Sequence, residues 1–401
     1  MSQGHVSTRQ RMIALAFGLL LAAGIWLVQM KLRGPGAAVA LVDNSLSLQA
    51  EWTSRQMLPR GLAPPSGEAG FGGKFKRREL TADELTRLLG TPRGGLREFD
   101  PHRLIRYSAN VRAEIEWADY PGGHWTRVTN SDGAREDHDF PSPAPDIFVL
   151  VAGDSHTEGV CDNAASYSNL LEGELAKRHP GKTVEVYNTG MNGYSFYNYL
   201  GTLEGFLARK PKIFVSTFFA GNDYYEVLKV HHVYAGSVPP PRPRNYWNEI
   251  TKGTEVSDTA MAQALTEILY LRENPDQANL ALQAALYATS EMQRVCDENG
   301  IQWLAVYLPS AFDLPFPEWK GLREHAASKL SISEADYEIA NRLGDQLLAT
   351  LRERGVEVLD LRPVFRAERA PLYWNDLHIN LEGQQVVAEQ LLPRVEALLA
   401  R

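Results

Sequence analysis

Five short, largely apolar runs beyond residue 145 constrain the fold more than any other feature of the chain. The first, Ile147 to Ala152, reads Ile-Phe-Val-Leu-Val-Ala, and similar runs recur at Val184–Tyr187, Ile213–Phe219, Trp303–Leu308 and Val356–Leu359. A strand with one wet face alternates apolar and polar side chains, so a strand without alternation has both faces covered. Segments read as helical stand between the runs, at 164–178, 196–208, 279–298 and 334–353. In the last stretch Val387, Leu391, Val395 and Leu398 form one apolar stripe. Strands that alternate with helices predict an α/β chain whose mainly parallel sheet is wrapped on both faces. In such sheets ligands bind beyond the carboxyl ends of the strands.

Four polar segments fall at that edge. Gly153-Asp154-Ser155-His156-Thr157-Glu158-Gly159 follows the first run, which puts a serine on a strand-to-helix turn with its amide free at a helix start. Asn188 to Gly193 follows the second, and a glycine there lets a backbone N–H approach a reacting oxygen closely. Gly221-Asn222-Asp223 follows the third, and its asparagine can aim a side-chain amide at the same point. Asn375-Asp376-Leu377-His378-Ile379-Asn380 precedes the last helix and supplies an imidazole base with a carboxylate to orient it. Singly each segment is weak. Gly-Asp-Ser occurs by chance, Gly-Asn-Asp is an ordinary turn, and Asn380 reads simply as a helix cap. Their order, each at the end of an expected strand, is what carries weight.

This combination resembles the SGNH hydrolases, the GDSL-type esterase and lipase superfamily, over about residues 146–401. The resemblance implies a three-layer α/β/α sandwich around a five-stranded sheet, and acyl transfer from an ester. Carried over, Ser155 is the nucleophile, His378 the general base, and the oxyanion hole is the Ser155 amide, the Gly193 amide and the Asn222 side chain. One departure stands out. The family most often places its acid three residues before the histidine, where this chain has Asn375, so the acid expected here is Asp376. Asp154 and Asp223 are expected to bond local amides, and His156 to face solvent or stand behind the site. Thr129 to Arg135 resembles the leader strand of bacterial, envelope-associated members.

Other chemistries lack support. The G-x-S-x-G elbow is absent because Thr157, not glycine, stands two residues beyond Ser155. No P-loop and no G-x-G-x-x-G follows a strand. His231-His232 has no ligand set at metal spacing around it and reads as polar loop, so neither a metal nor a cofactor is expected. The net charge of −8 lacks the basic footprint of a nucleic-acid binder. Hydrophobic residues make up 44% and charged residues 22%, which excludes a disordered chain and a multi-span membrane protein. Two cysteines, Cys161 and Cys296, give no disulfide scaffold, and whether they pair is left open.

The chain divides into a head (1–11), an apolar segment (12–30), a linker with a short helix (31–100), a β-rich leader (101–145) of two or three strands over 104–129, and the catalytic domain (146–401). As a helix, Met12 to Val28 would span about 25–28 Å, close to one bilayer crossing. It reads as a retained anchor, with a cleavable signal peptide ending near Ala38-Val39-Ala40 as the alternative. So short a head normally stays in the cytoplasm, so the rest is expected to face the periplasm. Lys74, Lys76, Arg77 and Arg78 form a basic cluster, solvated or touching anionic lipid. An insertion over 220–301 leaves the sheet beside Asn222, and its Tyr246 and Trp247 are read as substrate contacts or as the insertion's own core. Together these features predict a membrane-anchored serine esterase acting on O-acetyl esters of envelope polysaccharide, by hydrolysis or transfer. The alternatives are a lipase or thioesterase acting on lipid esters, and an inactive polysaccharide-binding module of an export complex. Protein partners and oligomeric state are not legible.

Overall fold

The computed structural model describes residues 77–89, 96–241, 245, 259–314, 317–368 and 370–401. The apolar segment 12–30, Lys74, Lys76, Tyr246 and Trp247 lie outside the described residues. Among the described residues no helix is long and apolar enough to cross a membrane.

Helix α1 (Ala82–Leu89) opens with a capping box: the Thr81 hydroxyl accepts the Glu84 amide at 3.2 Å, and the Glu84 carboxylate accepts the Thr81 amide at 3.0 Å. Two antiparallel hairpins follow, β1 (Arg97–Asp100) with β2 (Leu104–Tyr107) and β3 (Arg112–Glu116) with β4 (His124–Val128). Strand β1 lies in the stretch read as linker. The segment Thr129–Arg135 is a turn and not a strand, because the Asn130 side-chain oxygen accepts the amides of Asp132 (3.0 Å) and Ala134 (3.1 Å).

The sheet comprises β5 (Ile147–Ala152), β6 (Val184–Asn188), β7 (Ile213–Phe219), β8 (Gln302–Leu308) and β9 (Glu357–Asp360), all parallel, in the spatial order β6-β5-β7-β8-β9. Every residue of β5 and β7 is buried, as the apolar sequence of β5 requires, and the buried polar pair Ser216 and Thr217 of β7 is hydrogen-bonded to Trp303 and Tyr167. Because β6 and β7 lie on opposite sides of β5, right-handed crossovers send the two connections to opposite faces. Helices α3 (Tyr167–Arg178) and α12 (Leu381–Leu399) pack together, and α4 (Phe196–Phe206) and α5 (Asp223–Ala235) pack with α7 (Pro275–Asn299). The crevice at this switch of direction opens where β5 ends, at Gly153 and the four-residue helix α2 (Ser155–Glu158).

The segment 220–301 supplies α5, α6 (Thr259–Glu273) and α7. The histidine pair lies on α5 and is buried by specific partners: His231 with the Tyr197 hydroxyl (2.8 Å), His232 with Ser237 and Gln277 (2.8 Å each). Arg77 and Arg78 bind the protein itself, Arg77 pairing with Glu204 and Arg78 with Glu84 at 2.6 Å. Both cysteines are free and buried, and burial pushes each thiol up to about 12.

The leader is fastened to the sheet by buried charge. Glu158 accepts the Tyr107 hydroxyl (2.7 Å), Arg127 Nε (2.8 Å) and the Asn192 amide (3.1 Å). Arg135, fully buried, faces Glu158 at 3.5 Å and also donates to Asn163 Oδ1 (2.8 Å) and the carbonyls of Gly159 (3.3 Å) and Cys161 (2.8 Å). Removing a buried charged partner leaves desolvated groups unpaired, typically at about 3–5 kcal/mol. Arg135→Ala is therefore expected to lose about that much stability in urea unfolding. A loss below about 1 kcal/mol would mean that the leader is only loosely attached.

Candidate active site

Ser155 is the first residue of α2. The Asp154 carboxylate caps this turn by accepting the His156 amide at 2.9 Å. Opposite stands the loop before α12, folded back on itself: the Trp374 amide donates to the His378 carbonyl (2.8 Å) and the Leu377 amide to the Trp374 carbonyl (2.9 Å). Leu377 has φ +71°, a left-handed conformation that costs a non-glycine residue about 1–3 kcal/mol and persists only where the surroundings impose it.

That turn brings Asp376 and His378 together. Asp376 Oδ1 accepts the His378 amide at 2.9 Å, and Oδ2 makes a short hydrogen bond with Nδ1. With the proton on Nδ1, Nε2 is left as the acceptor, and it lies 2.9 Å from Ser155 Oγ. Ser155 and His378 are 4% exposed and Asp376 1%, so the line is shielded from water, where electrostatic interactions are stronger. Asn375, at the position three before the histidine, is engaged elsewhere. Its amide and Nδ2 donate to the Asp119 carboxylate at 3.0 and 2.7 Å.

The other expected donors flank this line from the ends of the neighbouring strands. The loop after β6 is drawn onto α2 through Met191 N to the Gly153 carbonyl (3.2 Å) and Asn192 N to Glu158. A Cβ at Gly190 would fall 2.3 Å from the Glu158 nitrogen, so only glycine permits this approach. Gly193, exposed and at φ +81°, follows. Asn222, 1% exposed, follows β7, and its Nδ2 donates to Gln263 Oε1 at 3.0 Å. Hydrogen bonds thus join Ser155, His378 and Asp376 directly. Gly193 and Asn222 are not joined to that line; they follow β6 and β7, the two strands that flank β5. Among the described residues no group of three or more His, Cys, Asp or Glu is placed to hold a metal.

His156 does not face solvent. It is buried, its ring 3.7 Å from Phe219 and 4.9 Å from His378 between centroids, and Nδ1 accepts the Ile379 amide at 3.3 Å. Burial, reinforced by repulsion from His378 whenever that ring is protonated, holds its pKa well below the ordinary range, so it is neutral. Asp223 accepts the Phe219 amide and the Tyr199 hydroxyl, each at 3.0 Å. Burial pushes Asp154 up to about 7, and burial together with repulsion from Asp154 raises Asp223 well above the carboxylate range.

Three neighbours of the site were not singled out from the sequence. Trp117, half-buried, presents its ring edge-on to His378 with centroids 6.2 Å apart. Asp119 holds Asn375, and Gln263 holds Asn222. A tryptophan just beyond an alternating strand was the one available signal, and it reads equally well as core.

Residues 151–386 match the model of the GDSL-like Lipase/Acylhydrolase family. Among solved structures, a catalytic mutant of an acetylxylan esterase from Geobacillus stearothermophilus is 12% identical, covers 64% of this chain and 96% of its own, and has a TM-score of 0.37. A lipase/acylhydrolase from Enterococcus faecalis is 14% identical, covers 63% and 96%, and has a TM-score of 0.34. A member of the lipolytic protein G-D-S-L family from Veillonella parvula is 13% identical, covers 62% and 97%, and has a TM-score of 0.35. No curated protein matches the chain.

The raised acid at Asp154 has a consequence for stability. A carboxyl whose folded pKa lies above its unfolded value favours folding at low pH and loses that contribution as pH rises, here from about 4 to about 7. Asp154→Asn keeps an oxygen for the His156 amide but cannot ionise. Its melting temperature should equal or trail the wild type near pH 4 and gain on it steadily up to pH 7. The gain should be equivalent to a few kcal/mol in all, at about 1.4 kcal/mol for each step of one in pH. Parallel melting curves across that range would show instead that Asp154 ionises in the folded protein as readily as in the unfolded chain.

Proposed function

The chain belongs to the GDSL-like lipase/acylhydrolase family and is a carboxylic ester hydrolase, and from that premise we propose that Ser155, His378 and Asp376 perform its acyl transfer through a covalent acyl-enzyme. The observation that carries this assignment is the hydrogen-bonded line from Ser155 Oγ through both nitrogens of His378 to Asp376. Ser155 Oγ attacks the ester carbonyl as its proton passes to Nε2, and Asp376 stabilises the imidazolium that forms. The Ser155 and Gly193 amides and the Asn222 side chain receive the oxyanion. The tetrahedral adduct collapses as the imidazolium returns its proton to the departing alcohol. Water, or a second alcohol, then repeats the sequence on the acyl-enzyme. No step calls for a metal or a cofactor.

The proposed substrate is an O-acetyl ester of an envelope or extracellular polysaccharide. Two observations support it. The apolar run Met12–Val28 has the length of a membrane anchor, which would set the catalytic domain outside the cytoplasm. Beside the base, Trp117 adjoins His378 while Tyr120 and Trp374 lie 6.1 Å apart between ring centroids. The base protonates the leaving alcohol, so Trp117 borders the side from which the alcohol departs. An aromatic ring there offers apolar surface to the face of a sugar.

A fluorophosphonate probe is expected to label Ser155 in the full-length protein, and the label should be lost in His378→Ala. A folded protein that stays unlabelled would refute the assignment. On p-nitrophenyl acetate, Asp376→Asn should lower kcat by about 10⁴, whereas Asn375→Ala should stay within about tenfold of wild type, since Asn375 only anchors the loop. Faster turnover of long-chain acyl esters than of acetylated glycans would overturn the substrate class and favour a lipase.

A further inference from the structure

Helix α6 meets the catalytic machinery at three places. Its Met261 amide donates to the Asp376 carbonyl at 3.2 Å. Gln263 Oε1 accepts from Asn222 Nδ2 at 3.0 Å, and Glu267, on the same face one turn later, accepts the Tyr225 amide at 2.9 Å. All three contacts are long-range in sequence. Gln263 is 8% exposed and Glu267 1%.

The chemistry of Asn222 gives these contacts a purpose. Asn222 is the N-cap residue of α5, where an asparagine ordinarily turns its side-chain oxygen back onto the helix amides. It makes no such bond here, and its Oδ1 has no partner among the described residues. The amide in the third helical position, Tyr225, is instead bonded by the Glu267 carboxylate at 2.9 Å, alongside a 3.0 Å contact to the Asn222 backbone carbonyl. Glu267 therefore takes over the cap and leaves the Asn222 side chain free for another task. Gln263 then decides which way that side chain points. An amide has an oxygen end and a nitrogen end of nearly equal size, and an acceptor at Gln263 Oε1 selects the nitrogen end. One N–H of Nδ2 is used on Gln263, and the second remains to donate.

We propose that Gln263 is a positioning residue of the oxyanion site: it fixes the amide orientation of Asn222 in which the second Nδ2 proton can meet the reacting oxygen, while Glu267 relieves Asn222 of capping. This rests on the reading of Asn222 as an oxyanion donor. Segment 220–301 is in this respect part of the catalytic apparatus. Electrostatic stabilisation of this kind depends on donors oriented before the charge develops, and a free asparagine side chain would populate both orientations.

The experiment is a double-mutant cycle on the full-length protein with p-nitrophenyl acetate, comparing wild type, Gln263→Met, Asn222→Ala and the double variant. Asn222→Ala should lower kcat about 10²–10³-fold. Gln263→Met, close in size but without the acceptor, should lower kcat about tenfold or more with KM within about twofold, because the interaction acts in the transition state. In the Asn222→Ala background it should cost nothing further. Gln263→Asn, polar but too short to reach, should behave like Gln263→Met and serves in its place if the methionine variant fails to fold. A Gln263→Met enzyme within about twofold of wild type, or an equal loss in both backgrounds, would overturn the proposal. Wild type that is inactive and unlabelled at Ser155 would remove the functional assignment and this proposal together. Active wild type with an unimpaired Asn222→Ala variant would remove this proposal alone.

Discussion

One buried carboxylate holds the catalytic edge to the rest of the molecule. Glu158 stands three residues beyond Ser155 on the same short helix, and three separate parts of the chain converge on it: Tyr107 from β2, Arg127 from β4, and Asn192 from the glycine-bearing loop after β6. Arg135 approaches the same carboxylate oxygen as Arg127, at 3.5 Å. A carboxylate removed from water is costly unless its oxygens are bonded, so the contacts around Glu158 stand or fall nearly together. The leader is therefore more than a strap across the sheet. It fixes the position of α2, and through α2 the nucleophile and the loop that carries Gly193.

The base and its acid are held from another direction. The loop before α12 is tied to the tip of the β3–β4 hairpin by Asp119 and Asn375, and to α6 by the Met261 amide. Leu377 keeps a left-handed backbone within that frame, which is how an acid only two residues before the histidine meets Nδ1. The sheet supplies a rigid base, but it does not complete the site. Asp376, His378 and Asn222 are each oriented by a segment that precedes the sheet or interrupts it.

That division explains what could be read from the sequence. A parallel strand covered on both faces is largely apolar and does not alternate, so Ile147–Ala152 and Ile213–Phe219 announce themselves, and polar residues just after them fall at one edge. Ser155, Asp376 and His378 were legible for this reason together with their local spacing. Gln263 and Asp119 were not. Their partners, Asn222 and Asn375, lie 41 and 256 positions away. A helix face that bonds a loop has no periodic signature different from one that packs a core. Asp376 was the expected acid, but the turn that carries it to Nδ1 was not legible, since it depends on the φ of Leu377 and leucine is not a residue that signals a left-handed turn. His156 looked like a surface residue because its neighbours are polar. The stacking surfaces that bury it, Phe219 and His378, come from distant segments.

The same edge gathers polar atoms that lack partners among the described residues: Asp154 Oδ2, His156 Nε2 and Asn222 Oδ1. Each such atom, once buried, costs about 1–3 kcal/mol, and these three stand within one residue of Ser155 or immediately after β7. Folding stability alone would disfavour this arrangement, since apolar residues of similar shape would pack there without penalty. It persists because the central strands β5 and β7 are buried throughout and can tolerate a local loss. What the loss provides is a set of dipoles held in place before any charge develops. A neutral His156 against the base, a proton-retaining Asp154 behind the nucleophile and an asparagine freed from its helix all leave the imidazolium and the oxyanion as the charges that change during the reaction. A catalytic edge with every polar atom satisfied in the resting state would have to break bonds to meet them.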